Sequence, residues 1–160
     1  MKYWDFRESG KPRYDYIAYT DGSYRVPKNF GAAACIVLDG SGEKILYRWS
    51  EVCRYSTSNR QELAAIIQAL LHVSEGSSVL VRRDSENGIA LLTGRVRSKK
   101  DLDLIRLYRQ VKRERALRVQ LEWIRSHSGD PMNDCVDQLC IEALDLFEED
   151  GTRVREETTC

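Results

Sequence analysis

Four acidic side chains sit where they could act together: Asp21, Glu62, Asp84 and Asp137. Asp21 lies in Tyr19-Thr20-Asp21-Gly22-Ser23, after a run from Tyr14 that reads as a strand. Tyr14, Tyr16, Ala18 and Thr20 fall on one face, and Asp15, Ile17, Tyr19 and Asp21 on the other, with aromatic and β-branched residues suited to a pleat. Asp21 is therefore expected at the strand's end, with Gly22 bending the chain after it. An Asp-Gly pair alone is an ordinary turn. Chemistry requires further carboxylates at the same place, and Asp84 supplies one by closing the buried-looking run Ser77 to Arg83. Glu62 falls at the start of a helix and Asp137 early in another. Four carboxylates gathered in a low-dielectric pocket repel strongly, and hard divalent cations would neutralise them. Oxygen-only donors favour magnesium or manganese over zinc. Two such ions roughly 3.5–4 Å apart can activate a water and stabilise a leaving oxygen in phosphodiester cleavage.

The elements that must position these acids follow from pattern. Gly31 to Leu38 reads as a second strand, Asp39 to Gly42 as a turn, and Lys44 to Cys53 as a third strand alternating Ile45, Tyr47 and Trp49 with polar residues. Short connections make the first three strands an antiparallel meander. Ser58 followed by Gln61 is a capping-box pattern opening a helix striped by Leu63, Ile66, Ile67, Leu70 and Leu71. A fourth strand, Ser77 to Arg83, precedes a short helical piece, Glu86 to Leu92, and a basic link, Arg95 to Lys100. A helix from about Asp101 to Ala116 shows Leu102, Ile105, Tyr108 and Val111 inward. Arg118 to Arg125 reads as a fifth strand, with Trp123 facing the core. The loop Ser126-His127-Ser128-Gly129-Asp130-Pro131 leads to a helix from Asn133 to about Glu149 carrying Val136, Cys140, Leu144 and Phe147. Strand-helix-strand crossovers imply parallel pairing of strand one with four and four with five. The expected fold is α/β, three-layered, a mixed five-stranded sheet with helices on both faces.

The 160 residues suit one domain with a real core. A polar lead-in over residues 1–13, a domain over 14–149 and a polar, frayed tail over 150–160 are expected. No apolar run could span a bilayer, and no apolar signal segment opens the chain, so a cytoplasmic protein is expected. The five cysteines form no Cys-x-x-Cys pair, which points to free thiols. Net charge is zero, yet residues 82–125 hold 13 basic against 6 acidic side chains, and residues 126–160 hold 2 against 10. A basic middle of this kind can hold a polyanion, though a solvated helix face would look the same.

Thr20-Asp21-Gly22-Ser23, Thr57-x-Asn59-Arg60-x-Glu62-Leu63, Asp84-Ser85, Trp123-Ile124-Arg125-x-His127-Ser128-Gly129, and Asn133 with Asp137-x-Leu139 follow in this order. Together they resemble type 1 ribonuclease H, from about Tyr16 to Ala143. The resemblance implies the ribonuclease H-like fold and an endonuclease that hydrolyses the RNA strand of RNA–DNA hybrids with two magnesium ions, manganese being a possible substitute. It leaves a 5′-phosphate and a 3′-hydroxyl. The resemblance makes Asp21, Glu62, Asp84 and Asp137 the metal-binding acids and His127 a loop histidine handling water or product. It sets Thr57, Ser58, Asn59, Gln61 and Asn133 against the substrate, with Thr57 at a DNA-strand phosphate. Arg83 departs from the family pattern, which commonly has a small hydroxyl residue before the aspartate. Glu86 and Asn87 depart too, and no tryptophan-rich basic handle is present, its place partly taken by Arg95, Arg97, Lys99 and Lys100. A monomer acting on a hybrid duplex, without a membrane, is expected. The rivals are a non-catalytic nucleic-acid-binding module on the same fold and another nuclease of the superfamily, such as a junction resolvase or integrase.

Overall fold

The computed structural model describes residues 14–85, 92–94, 99–125, 129–150 and the pair Arg155–Glu156. The expected piece Glu86 to Leu92 and most of the basic link fall largely outside them. Strands β1 (Tyr16–Arg25), β2 (Phe30–Asp39) and β3 (Ile45–Arg54) form the antiparallel meander. β4 (Ser78–Arg83) lies parallel to β1, and β5 (Arg118–Trp123) parallel to β4. The helices are α1 (Ser58–Leu70), α2 (Leu102–Glu114) and α3 (Pro131–Asp150). The sheet order is β5-β4-β1-β2-β3, extended beyond β3 by a two-residue β6, Arg155–Glu156, parallel to Cys53–Arg54. The five expected strands are therefore present, and the tail returns to the sheet at one point instead of fraying throughout.

Strand parity divides the core. Ala18, Cys35, Val37, Val79 and Val81 face α1 and α2, meeting Leu63, Ile66, Leu70, Leu104, Ile105 and Tyr108. Tyr19, Ala32, Ala34, Ile36 and Leu38 face α3, meeting Val136, Cys140, Leu144 and Phe147. β2 is covered on both sides, which is why Gly31 to Leu38 reads as an unbroken apolar run. The alternation expected along β1 holds.

Several local expectations are corrected. β1 does not stop at Gly22 but runs on to Arg25, pairing Asp21 with Ala34 and Gly22 with Ala33 of β2. Gly22 is needed for a close approach, not a bend: a Cβ there would lie 2.4 Å from the Glu62 backbone nitrogen. The helix cap is Thr57, whose hydroxyl accepts from the Arg60 N–H at 3.1 Å, so Ser58 is the first helical residue and not the cap. In α2, Leu104 replaces Leu102 on the inner face, and Leu102 is exposed. Trp123 is 47% exposed instead of core, because β5 is the sheet's edge and its last residue outruns the covering helices. Cys53 is disulfide-bonded, whereas Cys35, Cys135 and Cys140 are free. The expectation of free thiols therefore fails at Cys53, beside which β6 brings the tail. Among the described residues no helix is long and apolar enough to cross a membrane.

Candidate active site

β1 and β4 are parallel neighbours whose pairing ends at Tyr19 and Arg82. Asp21 and Asp84 each lie two residues further on, so their carboxylates leave the sheet at the same edge. Asp21 shares the parity of Ile17 and Tyr19 and therefore faces α3. There its side chain is hydrogen-bonded to Asp137, and Cys140, one turn beyond Asp137, directs its thiol at the Asp21 carbonyl at 3.6 Å. Gly22 lets the second turn of α1 rest on β1, and that contact brings Glu62 to the cluster.

The electrostatics link the acids in pairs. Asp21 is pushed up to about 8, first by burial, then by its hydrogen bond to Asp137 and the charges of Asp84 and Asp137. Glu62 is also raised, chiefly by burial and further by Asp84, against the opposing influence of Arg83 and Ser85. Burial lifts the Cys140 thiol, and Asp21, Asp137 and Asp84 add to it. Each acid thus lies in the field of the next, in the order Glu62, Asp84, Asp21, Asp137.

Arg83 lies inside this group and is 2% exposed. Its Nη2 is 3.1 Å from Glu62 Oε2, and its Nε donates to the Ser85 carbonyl at 3.0 Å. Ser85 Oγ donates to the same Glu62 oxygen at 2.9 Å. Burial lowers the Arg83 pKa, while Glu62, Asp84 and Asp21 pull it back up. Arg83 was legible only as a departure from pattern, yet strand parity could have found it, since it shares the α1-facing side with Val79 and Val81.

A second network holds the far side. Tyr19 donates to Asp130 Oδ2 at 2.7 Å and accepts from Arg82 at 2.9 Å. Asp130 caps α3 by accepting from the Met132 N–H at 3.1 Å. Burial and the Asp130 hydrogen bond push Tyr19 up to about 12. This tie fixes the start of α3, and so Asp137, to β1. The Asp130-Pro131 pair is its only sequence signal, a cap followed by proline at the first helical position.

The remaining expected site residues divide. Thr57 and Ser58 are exposed and Asn59 half-buried on the first turn of α1, with Ser58 one turn before Glu62 on the same face. Gln61 is fully buried and accepts from Ser56 at 2.9 Å, so its side chain supports the turn from beneath and presents nothing outward. Asn133 is 4% exposed, one turn before Asp137 on α3. His127 lies outside the described residues. Trp123 closes β5 beside the site, donating from Nε1 to the Asp84 carbonyl at 3.1 Å.

The donor set suits a hard cation in kind: all oxygen, with Glu62 buried, Asp21, Asp84 and Asp137 half-buried, and Asp21 hydrogen-bonded to Asp137. Among the described residues no three such side chains are arranged to hold an ion as they stand. The reason is visible in the contacts: Glu62 is turned into Arg83 and Ser85, and Asp21 into Asp137.

The sequence model of the RNase H family matches residues 13–145. The chain belongs to the RNase H family. Ribonuclease H of Acidiphilium cryptum is 33% identical over 140 residues, covering 81% of this chain and 86% of that one. Ribonuclease H of Bartonella quintana is 31% identical over 144 residues, covering 83% and 91%. Among solved structures, LC11-RNase H1 in complex with an RNA/DNA hybrid is 25% identical with a TM-score of 0.69, covering 82% of this chain and 97% of that one. The N-terminal RNase H domain of a Mycobacterium tuberculosis protein, 20% identical with a TM-score of 0.70, covers 86% and 98% and shows the shared fold. The RNase H family is divalent-metal dependent, which agrees with the oxygen donors gathered at this sheet edge.

Proposed function

We propose that the chain is an endoribonuclease that hydrolyses the RNA strand of RNA–DNA hybrids, leaving a 5′-phosphate and a 3′-hydroxyl. The observation that carries the reading is that Asp21, Glu62, Asp84 and Asp137, drawn from β1, α1, the end of β4 and α3, lie within one another's fields in pairs. Asp21, Asp84 and Asp137 would hold the divalent cation, with Glu62 completing the site, and magnesium is the ion we expect there. When bound, such cations supply Lewis-acid polarisation of the phosphate and lower the pKa of the attacking water. The chain does the positioning. β1 and β4 set Asp21 and Asp84 side by side, the Tyr19–Asp130 tie fixes Asp137, and Gly22 admits Glu62. The exposed first turn of α1 lies one turn from Glu62, so Thr57, Ser58 and Asn59 can meet the shallow minor groove in which the 2′-hydroxyl distinguishes RNA from DNA. Gln61, buried and bonded to Ser56, supports that surface instead of contacting the hybrid, while Asn133, one turn before Asp137, is the expected contact on α3.

The working unit is one chain, since all four acids come from it, and the cytoplasm is its expected location; sizing chromatography and fractionation test these two readings. The activity is tested on a labelled hybrid with and without magnesium, beside double-stranded RNA and branched DNA. Cleavage confined to the RNA strand of the hybrid and abolished by chelator is expected. Binding without product would favour a non-catalytic module, and cleavage of branched DNA another nuclease of the superfamily.

A further inference from the structure

In the region of the acids the chain carries a cation of its own. Arg83 is buried among them, with one guanidinium nitrogen on Glu62 at 3.1 Å and a second on the Ser85 carbonyl at 3.0 Å. Its third nitrogen, Nη1, is buried with no hydrogen-bond partner. The guanidinium lies in the fields of Glu62, Asp84 and Asp21, three of the four acids. The Glu62 oxygen it holds also accepts from Ser85, so that oxygen is fully committed to the protein. A guanidinium stays charged at all working pH values, and this one is 2% exposed and tied to Glu62 of α1.

A fixed positive charge beside a carboxylate does part of what a divalent ion would do there, and it repels that ion. We propose that Arg83 is a built-in counter-ion that occupies the Glu62 flank, so that the substrate-free protein takes a single divalent ion, at the Asp21, Asp84 and Asp137 side. This rests on the reading of the acids as a divalent-cation site. Arg83 is then a positioning residue: it sets where Glu62 points and how many ions the acids can accept.

The test is a titration of the chelator-stripped full chain with Mn2+ in the absence of hybrid, counting free ion by electron paramagnetic resonance. Wild type and R83K are expected to bind one ion per chain. R83T, folded by circular dichroism, is expected to bind a second ion or to hold the first at least about tenfold more tightly. Two ions on the wild type would overturn the inference whether or not R83T folds, as would R83T and wild type giving the same count and affinity. D21N separates the two readings. If D21N loses the ion while R83T matches wild type, the inference about Arg83 fails and the cation site stands. If D21N binds as wild type does, both fail.

Discussion

Asp21 holds its proton far above the ordinary carboxylic range, to about 8, because it is buried, hydrogen-bonded to Asp137 and within the field of Asp84. The sign of the consequence follows by linkage. A carboxyl raised in the folded state binds more protons there than in the unfolded chain, so it destabilises the fold increasingly as pH climbs from its unfolded value through its folded one. Urea unfolding in chelator is therefore expected to show wild type losing stability between about pH 4 and pH 8, with that slope much reduced in D21N. Equal slopes would show that Asp21 is not so placed. Glu62 and Arg83 make a buried pair, and removing one partner strands the other charge. E62A is expected to cost about 3 kcal/mol by the same unfolding assay, and E62A combined with R83M less than the sum of the single losses. At this scale the acids themselves were legible, because strand parity sets Asp21 towards α3 and Asp84 at the parallel neighbour's end. The partners were not. Arg83 shows in sequence only as a departure from the family pattern, and its ties to Glu62 and Ser85 appear only in the folded chain. Nothing local joins Tyr19 to Asp130, which lie 111 positions apart.

Between β1 and α1 the contact is set by Gly22, and this is where helix placement becomes chemistry. A Cβ at Gly22 would lie 2.4 Å from the Glu62 nitrogen and 2.5 Å from the Gln61 carbonyl carbon, both backbone atoms that cannot swing aside. G22A is expected to destabilise by about 1–3 kcal/mol in denaturant unfolding, and to lower cleavage further in the molecules that remain folded, since Glu62 is pushed away from Asp84. Unchanged stability would remove the close approach from the account. T57A removes the cap hydroxyl and is expected to cost about 1 kcal/mol. The sequence showed that a helix begins here but not at which residue, since Thr57 and Ser58 are equally good caps and backbone geometry alone chooses. Asp-Gly likewise reads as a turn or as a close approach, and β2 decides for the second by pairing with β1 past Gly22 as far as Arg25. Trp123 obeys the alternation of Val119 and Leu121, yet an edge strand leaves its final residue uncovered.

Across the whole molecule the neutral sum conceals a basic half. Arg106, Arg109 and Arg113 lie exposed along α2, while acidic residues concentrate beyond residue 126. Affinity for a hybrid is expected to fall steeply with salt, with a log–log slope of about −3 or steeper if several phosphates are held. A flat dependence would separate the basic face from substrate binding. Element order, sheet topology and both helical layers could be read from pattern, because crossovers and period-two alternation leave few arrangements open. The short β6 could not, since it joins residues 155–156 to β3 across about a hundred residues of chain, and nothing in the sequence marks Cys53 as the bridged cysteine.

The meeting of four acids from four elements is tested most directly by cleavage of a labelled RNA–DNA hybrid by wild type, D21N, D84N and D137N in magnesium, with folding of each variant confirmed. Wild type should cut the RNA strand alone, and each variant should lose more than about 100-fold, beyond what losing even an outer partner of a metal ligand costs. Folded D21N and D84N turning over the hybrid at the wild-type rate would contradict the account.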